Sequence, residues 1–190
     1  MNKTNSFIRN VKRAEEAKKV LDRLRQKDPH INMRIENYHY EFVHRRNRFD
    51  YQRRTSSSHT KEVRYSEYTD RSADPSTVAH MKKAKLTRLD LILDVQYTPQ
   101  ASQSKTCQEH HFKREKINDT HYDFTLTESV DDFEYEILVH NGDLGEGLPW
   151  YCNTTVYWIF HLLFIGWIIR ILFVNNSSRV TYTVEKVILK

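Results

Sequence analysis

Apolar residues follow two different periods along the chain, and each period predicts a type of element. Residues 6–27 carry them at three- and four-residue steps, which predicts an amphipathic helix capped by Ser6 and stopped by Pro29. Its opposite face is mixed in charge, which favours docking on a core over lying on a membrane. Alternation with period two predicts strands over 38–43, 63–68, 89–97, 122–126, 133–139 and 180–184.

The segments between these strands have other patterns. Residues 102–116 predict a second helix, whose apolar side is short. The basic stretch HRRNRFDYQRR over 44–54 and the segment RSADPST over 71–77 predict a connection and a turn. Three of the four glycines lie in HNGDLGEGLP, over 140–149, which predicts a flexible connection into the next segment.

The longest apolar run covers 156–174 and reads VYWIFHLLFIGWIIRILFV. As one helix it would measure about 28 Å, close to the bilayer core of about 30 Å. Trp150 and Tyr151 precede it, as in an interfacial aromatic belt. A full span, a buried core helix and a re-entrant hairpin turning at Gly166 are the three interpretations. The predicted membrane-segment residues are Val156, Trp158, Phe160, Leu163, Gly166, Trp167, Ile169, Leu172 and Val174.

The strand predicted over 180–184 separates these interpretations. If it pairs with the main sheet, the chain before and after the apolar run lies on one side of the membrane, which requires the hairpin. Arg179, Lys186 and Lys190 follow the run, and the positive-inside rule therefore places the C-terminus in the cytoplasm. Residues 1–10 lack the apolar stretch of a signal peptide, which conflicts with an exported domain. We expect a membrane location and leave the side of the membrane open.

These elements predict an α+β fold. It consists of a mainly antiparallel β domain with an N-terminal amphipathic helix, followed by a C-terminal transmembrane or re-entrant helix. The expected divisions are a helix over 1–30, a β-rich soluble domain over 31–148, a membrane segment over 149–175 and a strand-like tail over 176–190.

Charge is distributed unevenly around the net value of +5. Residues 1–116 hold 26 Lys and Arg against 15 Asp and Glu, whereas residues 117–190 hold 4 against 10. The basic stretch could contact lipid headgroups, a protein partner or single-stranded nucleic acid, or form a plain solvated loop. Lipid or a protein partner is the favoured ligand and nucleic acid the least favoured. The residues concerned are Arg45, Arg46, Arg48, Arg53 and Arg54.

Motifs with known chemistry are absent from the sequence. It contains no phosphate-binding glycine loop, no Gly-x-Ser-x-Gly and no Cys-x-x-Cys. Cys107 and His111 would share a helical face, but tetrahedral zinc needs two further ligands. We therefore expect no catalytic, cofactor-binding or metal-binding residues, and no enzymatic activity.

An ordered set of short motifs resembles the transmembrane protein 151 family. The motifs are Tyr38-His39-Tyr40, Cys107-Gln108 with Phe112, Pro149-Trp150-Tyr151, Trp167 with Arg170-Ile171-Leu172, and Val184-Glu185-Lys186. The resemblance covers residues 20–188 and implies a multi-pass membrane protein with no assigned activity. The family's cysteine before Tyr-His-Tyr is Asn37 here, so any role of that thiol is lost. The two hydrophobic segments that the family has upstream are missing, which suggests a shortened member or an incomplete chain.

The functional expectation is a membrane-anchored, non-enzymatic protein whose soluble domain contacts lipid headgroups or a protein partner. The alternative is a soluble basic module that binds nucleic acid or protein. In that case the apolar run would be a buried helix or an oligomer interface.

Overall fold

The computed structural model describes residues 10–45, 48–75, 85–141, 147–163 and 165–190. The fold is α+β, as predicted, and its strand pairings are mostly antiparallel. The strands are β1 Val11–Arg13, β2 Pro29–Arg45, β3 Arg48–Glu62, β4 Tyr68–Asp70, β5 Leu86–Tyr97, β6 His121–Val130, β7 Glu136–His140 and β8 Ser178–Ile188. The helices are α1 Ala14–Gln26, α2 Pro99–Lys116, α3 Thr154–Leu162 and α4 Gly166–Asn175.

Two sheets organise the described strands. The larger has the order β1-β7-β5-β8-β4, with β1 parallel and β5 antiparallel to β7. The smaller has the order β3-β2-β6 and is antiparallel. The chain divides into two compact units. The first holds 1–27, 70–94 and 132–185, and the second holds 28–69, 95–131 and 186–190.

In the first unit, α1 packs against β1 and β7 through one apolar stripe. Ala17, Leu21 and Leu24 recur at four and three residues and are fully buried. The carboxylate of Glu16 accepts a hydrogen bond from the backbone N–H of Arg13 at 3.0 Å, which closes the first turn. This bond fixes Arg13 as the residue before the helix, which begins at Ala14.

The predicted helix over 6–27 is wrong at its start. Val11–Arg13 is a strand, while Ser6 lies outside the described residues. The strand forms because its edge is fixed by β7: the amide of Leu138 donates to the carbonyl of Asn10 at 2.8 Å. The side chain of Asn10 also donates to Glu134 and to the carbonyl of Glu136, both at 2.8 Å. These long-range bonds outweigh the local helical pattern.

In the second unit, α2 covers one face of the three-stranded sheet. Ile31, Met33 and Ile35 alternate along β2 and pack with Ala101 and Phe112 of the helix. Thr98 caps this helix by accepting from the amide of Ala101 at 3.3 Å. The predicted strands over 89–97 and 122–126 and the helix over 102–116 are confirmed, each with slightly wider bounds.

The basic stretch over 44–54 is not the connection that the sequence predicts. Strands β2 and β3 continue as paired strands through it, up to the pair formed by Arg45 and Arg48. Pairing persists because cross-strand contacts replace an apolar core: Arg54 binds Glu41 at 3.0 Å, and Phe42 meets Tyr51 edge to face. Ser56 is the extra residue of a bulge between the pairs of Asn37 and Tyr38.

Candidate functional site

Helices α3 and α4 form a helical hairpin in the first unit, here called the apolar hairpin. A short 3₁₀ turn, Trp150–Cys152, leads into it. Asn153 caps α3 by accepting hydrogen bonds from the amides of Thr155 and Val156, at 2.8 and 3.4 Å. The two helices contact each other, and α4 also contacts the 3₁₀ turn that precedes α3. The chain therefore turns back within the apolar run rather than passing straight through it.

Gly166 begins α4 next to His161 of α3. A Cβ atom at this position would lie 3.2 Å from Nδ1 of His161, a tight approach that the imidazole would have to relieve by a small shift. The helix α3 closes with the amide of Leu163 donating to Ile159 at 3.1 Å. His161 itself stacks on Tyr157 with ring centroids 6.0 Å apart. The absence of a side chain at Gly166 thus leaves room for the His161 ring.

The inner face of the apolar hairpin packs on the sheet of the first unit. Tyr157, Ile169 and Phe173 are at most 3% exposed and join Leu86 of β5 and Leu138 of β7 in one core cluster. Leu86 and Leu138 lie on the same face of the sheet, since alternate residues of each strand share a face. The hairpin is therefore held by an ordinary apolar core.

The outer face of the apolar hairpin is exposed and apolar. The exposed fraction reaches 74% for Leu162 and 61% for both Leu163 and Trp167. Further exposed apolar residues of the hairpin and its lead-in are Trp150, Trp158, Ile159, Ile171 and Val174. Several large apolar side chains exposed on one hairpin are typical of interaction surfaces.

A single helix over 156–174 is therefore wrong, because the segment consists of two short helices. The first helix ends at Leu162 and the second begins at Gly166. Within the part of the chain that the structure describes, no helix combines the length and apolar character needed to cross a membrane.

The predicted membrane-segment residues divide between the two faces of the hairpin. Ile169 is buried, and Val156, Phe160, Gly166 and Leu172 are half-buried. Trp158, Leu163, Trp167 and Val174 are exposed. Because the outer face is open, the interpretation of the run as a fully buried core helix is also wrong.

Both ends of the apolar hairpin connect to one sheet. Strand β7 precedes the hairpin, β8 follows it, and β5 lies between these strands in the sheet. At the start of β8, the hydroxyls of Ser178 and Thr87 are 2.9 Å apart, and Arg179 forms an ion pair with Asp90 of β5. The strand predicted over 180–184 is therefore present and belongs to this sheet.

The structure describes the side chains of only two of the five arginines that were predicted to contact lipid or a partner. Arg46 lies outside the described residues, and only the backbone of Arg45 and Arg48 is described. Arg53 lies 3.8 Å above the ring of Tyr38 and binds Asp123 at 2.7 Å, while Arg54 binds Glu41. Their contact with lipid or a partner stays a prediction.

An aromatic surface that the sequence analysis missed covers the outer face of the smaller sheet. Tyr38 stacks on His121 at 5.5 Å and meets Tyr40 edge to face at 5.7 Å. Tyr40, Phe42 and Tyr51 are more than half exposed. The alternation of Tyr38, Tyr40 and Phe42 could have revealed it, because β2 has its apolar core on the odd positions.

The second unit also brings together a serine, an aspartate and a histidine. The hydroxyl of Ser56 donates to Asp119 at 2.5 Å, and Nδ1 of His39 lies 3.1 Å from the same carboxylate. These two contacts and the amide of Thr120 hold the pKa of Asp119 well below its usual range, with the Ser56 bond the largest cause. Ser56 bonds to the carboxylate rather than to the imidazole, so His39 is not placed to activate it as a nucleophile.

Cys152 does not have the surroundings of a reactive thiol, and neither cysteine belongs to a metal ligand set among the described residues. Cys152 is buried in the core of the hairpin, and burial raises its pKa to about 11. Cys107 is exposed on α2. Over the described ranges, no group of three His, Cys, Asp or Glu residues could hold a metal ion.

Comparison with known proteins returned no match among protein-family models, curated proteins or solved structures.

Proposed function

We propose that the protein is a non-enzymatic membrane-binding protein whose apolar hairpin enters one leaflet and returns to the same side. The observation that carries this proposal is the return of the chain to its starting sheet. Strand β7 leads into the hairpin, β8 leaves it, and both belong to the sheet that contains β5. A segment with both ends tied to one sheet enters and leaves a bilayer from the same side.

The composition of the hairpin supports this function. Residues 147–169 contain no Asp, Glu, Lys or Arg, and Leu162, Leu163 and Trp167 are exposed beside the turn. The inner face of the hairpin is packed on the sheet, so the outer face is the part that is available to a bilayer. This outer face has the apolar chemistry of a surface that enters one leaflet.

Arg170 is the one charged residue within the two helices, and it is exposed. It lies five residues before Asn175, the last residue of α4, and so about 7 Å from the base of the hairpin. An extended arginine side chain can bridge this distance and keep its guanidinium at the interface. Trp150 and Trp158 add aromatic side chains of the type that prefers the headgroup region.

The resemblance to the transmembrane protein 151 family supports the same proposal. It implies a membrane protein without assigned enzymatic activity, and the motif Pro149-Trp150-Tyr151 that enters the hairpin is part of the resemblance. The location of the protein at a membrane and the absence of catalysis remain part of this proposal. A second copy of the chain is the other partner that could cover the outer face.

The test is flotation of the purified chain with vesicles of phosphatidylcholine. We expect the intact chain to float with the vesicles. The double substitution Leu162→Asp with Leu163→Asp should reduce the partition coefficient at least about 1,000-fold, since it removes two inserted side chains and adds two charges. The matched control is Phe42→Asp with Tyr51→Asp, which places the same charges on exposed apolar residues of the second unit.

The control variant should float like the intact chain. Failure of the intact chain to float, together with a dimer that the Leu162 and Leu163 substitutions dissociate, would contradict the membrane proposal and assign the surface to a second copy. Equal loss in both double variants would show that the hairpin is not the site of attachment.

A further inference from the structure

We propose that strand β6 pairs with β6 of a second copy of the chain, in antiparallel orientation and with Thr125 on the two-fold axis. The three-stranded sheets of the two copies then join into one continuous sheet. This inference goes beyond the proposed function and does not depend on the apolar hairpin, because it concerns the second unit alone.

Strands β3 and β6 form the two edges of the smaller sheet, and β3 is protected against further pairing. An edge strand presents unpaired N–H and C=O groups, and proteins usually protect a long edge with cationic residues, proline or a bulge. Strand β3 has the bulge at Ser56 and several cationic residues. The cationic residues of β3 are Arg48, Arg53, Arg54 and Lys61.

Strand β6 lacks this protection. Its 10 residues read HYDFTLTESV and include no Lys, Arg, Pro or Gly. Its pairing with β2 is regular from His121 to Val130, so no bulge turns the strand away. Within the described residues no strand pairs with its other edge, and the edge strands of the larger sheet are only 3 residues long. We therefore identify β6 as the edge that is open to another strand.

The apolar side chains of β6 are only partly covered by their own unit. Phe124 and Leu126 pack against the core formed by β2 and α2 but stay half-buried. They are the cross-strand partners of Ile35 and Met33, which are fully buried, and paired residues share a face of the sheet. A strand added at the open edge would cover more of both side chains, which favours the pairing through apolar burial.

The sequence of β6 is self-complementary in one register. With Thr125 on the axis, residues 121–129 of the two copies pair. The opposed residues are His121 with Ser129, Tyr122 with Glu128, Asp123 with Thr127, Phe124 with Leu126, and Thr125 with itself. No pair opposes two like charges, and the two half-buried apolar residues face each other. Such pairs stabilise neighbouring antiparallel strands.

Other registers match less well. A shift by one residue opposes core-face with outer-face residues, which no consistent sheet allows. Centring the pairing on Leu126 opposes Phe124 to Glu128, and centring it on Asp123 opposes two carboxylates. Centring it on Phe124 keeps apolar pairs but shortens the pairing to residues 121–127. The register that we infer is therefore the longest one that matches both faces of the sheet.

The chain that leads into β6 does not block the open edge. The carboxylate of Asp119 accepts a hydrogen bond from Ser56 at 2.5 Å and lies 3.1 Å from Nδ1 of His39. Ser56 belongs to β3 and His39 to β2, so both lie on the side of β6 that is away from its open edge. The chain thus reaches β6 from across the sheet and leaves the open edge to the second copy.

The test is sedimentation equilibrium of the full chain in a non-ionic detergent that covers the apolar hairpin. We expect a dimer with a dissociation constant on the order of 10 μM, because a single pair of strands is a small interface. Thr125→Lys should raise this constant about 10-fold, since it opposes two like charges at the axis. An intact chain that stays monomeric up to about 100 μM would overturn the proposal.

Thr60→Lys is the matched control. Thr60 of β3 and Thr125 of β6 are both exposed, and both are cross-strand partners of Arg34 on β2. The control therefore places the same charge on the same face of the same sheet, at the protected edge. It should leave the dimer unchanged. Equal weakening by the two lysines would mean that net charge and not the β6 edge governs association, which would overturn the proposal.

A mixture of two variants tests the register. Thr125→Lys and Thr125→Asp should each dimerise poorly, but together they should form a heterodimer, because lysine and aspartate then face each other at the axis. A Thr125→Lys chain that dimerises as tightly as the intact chain would overturn the pairing centred on Thr125. So would a mixture that associates no better than its separate components.

A further variant separates this dimer from the proposed function. Leu162→Asp with Leu163→Asp changes only the apolar hairpin and should leave the dimer intact, although it abolishes binding to vesicles. A dimer that these substitutions dissociate and that Thr125→Lys leaves unchanged would assign the contact between copies to the hairpin and overturn the pairing of β6.

Discussion

The apolar hairpin and the aromatic surface of the smaller sheet both expose large apolar side chains, but they differ in what surrounds those side chains. Leu162, Leu163 and Trp167 have no charged neighbour in the sequence from 147 to 169. On the aromatic surface, Tyr38 lies under Arg53, which is itself paired with Asp123. The hairpin therefore has no charged side chain over this range of the sequence, whereas the aromatic surface has charged side chains among its rings.

This difference shows why exposure alone does not identify a membrane-binding surface. Most folded proteins expose some apolar area, and a ring next to an ion pair is compatible with water. Inserting the aromatic surface into lipid would also bury Arg53 and Asp123, at a large cost in desolvation. Inserting the hairpin buries no charge other than Arg170, whose side chain can reach the interface. The hairpin is therefore the better membrane-binding candidate of the two.

The largest expected effect is a difference in the free energy of unfolding between substitutions on the inner and the outer face of α4. Phe173→Ala should lower the free energy of unfolding by about 3–5 kcal/mol, because Phe173 is only 1% exposed and its loss leaves a cavity against Leu86 and Leu138. Trp167→Ala, on the outer face, should change it by less than about 0.5 kcal/mol. Urea unfolding in the absence of lipid measures both. A large loss for Trp167→Ala would mean that the outer face is packed in water.

An intermediate effect is expected at Asn37, where the second unit uses a buried polar side chain. Its Nδ2 donates to the hydroxyl of Ser57 at 2.9 Å and to the carbonyl of Lys116 at 2.8 Å. Asn37→Ala should lower the free energy of unfolding by about 1–3 kcal/mol, because the Lys116 carbonyl loses this donor.

Thr60→Ala, an exposed position on β3, serves as the control and should be neutral. The loss of stability in Asn37→Ala should also be seen as faster hydrogen exchange of the β2 amides. An Asn37→Ala protein as stable as the control would show that this polar network contributes nothing.

The smallest effect is a dependence of stability on pH in the second unit. The bond to Asp119, and then the bond to Glu41, raises the pKa of His39. A group with a raised pKa stabilises the fold when protonated, so the stabilisation is complete below the ordinary value of about 6.5 and is lost as pH rises through the folded value. Unfolding in urea should therefore become easier between about pH 6 and about pH 8.

His39→Gln should reduce that dependence without abolishing it, because His30, whose pKa is raised mainly by its bond to Glu62, titrates in the same direction. An unchanged slope in the variant would contradict the assignment to His39.

The sequence predicted the elements whose apolar pattern reflects a buried face. Strand β5 alternates cleanly because Leu89 and Leu91 are buried, and α2 and β8 were located for similar reasons. The sequence predicted β2 over 38–43 but missed its continuation and β3 over 44–54, since that stretch has no apolar period and is held by contacts such as Arg54 with Glu41. Strand β1 was missed because its bonds come from β7, more than a hundred residues away.

The sequence identified the segment that forms the candidate site but did not decide between its possible conformations. The apolar run identified the segment, and Gly166 was recognised as the turn of the hairpin alternative. The choice between one helix and two depends on the packing of Phe173 against the sheet, which has no local signature in the sequence.

The central claim is that the chain enters and leaves the membrane on one side. The most direct measurement is protease protection of the protein in sealed vesicles, with one epitope tag at each end of the chain. The account predicts that both tags are cleaved together from the outside, or protected together when the protein is inside, while the hairpin resists carbonate extraction. One tag cleaved and the other protected in the same vesicles would contradict it.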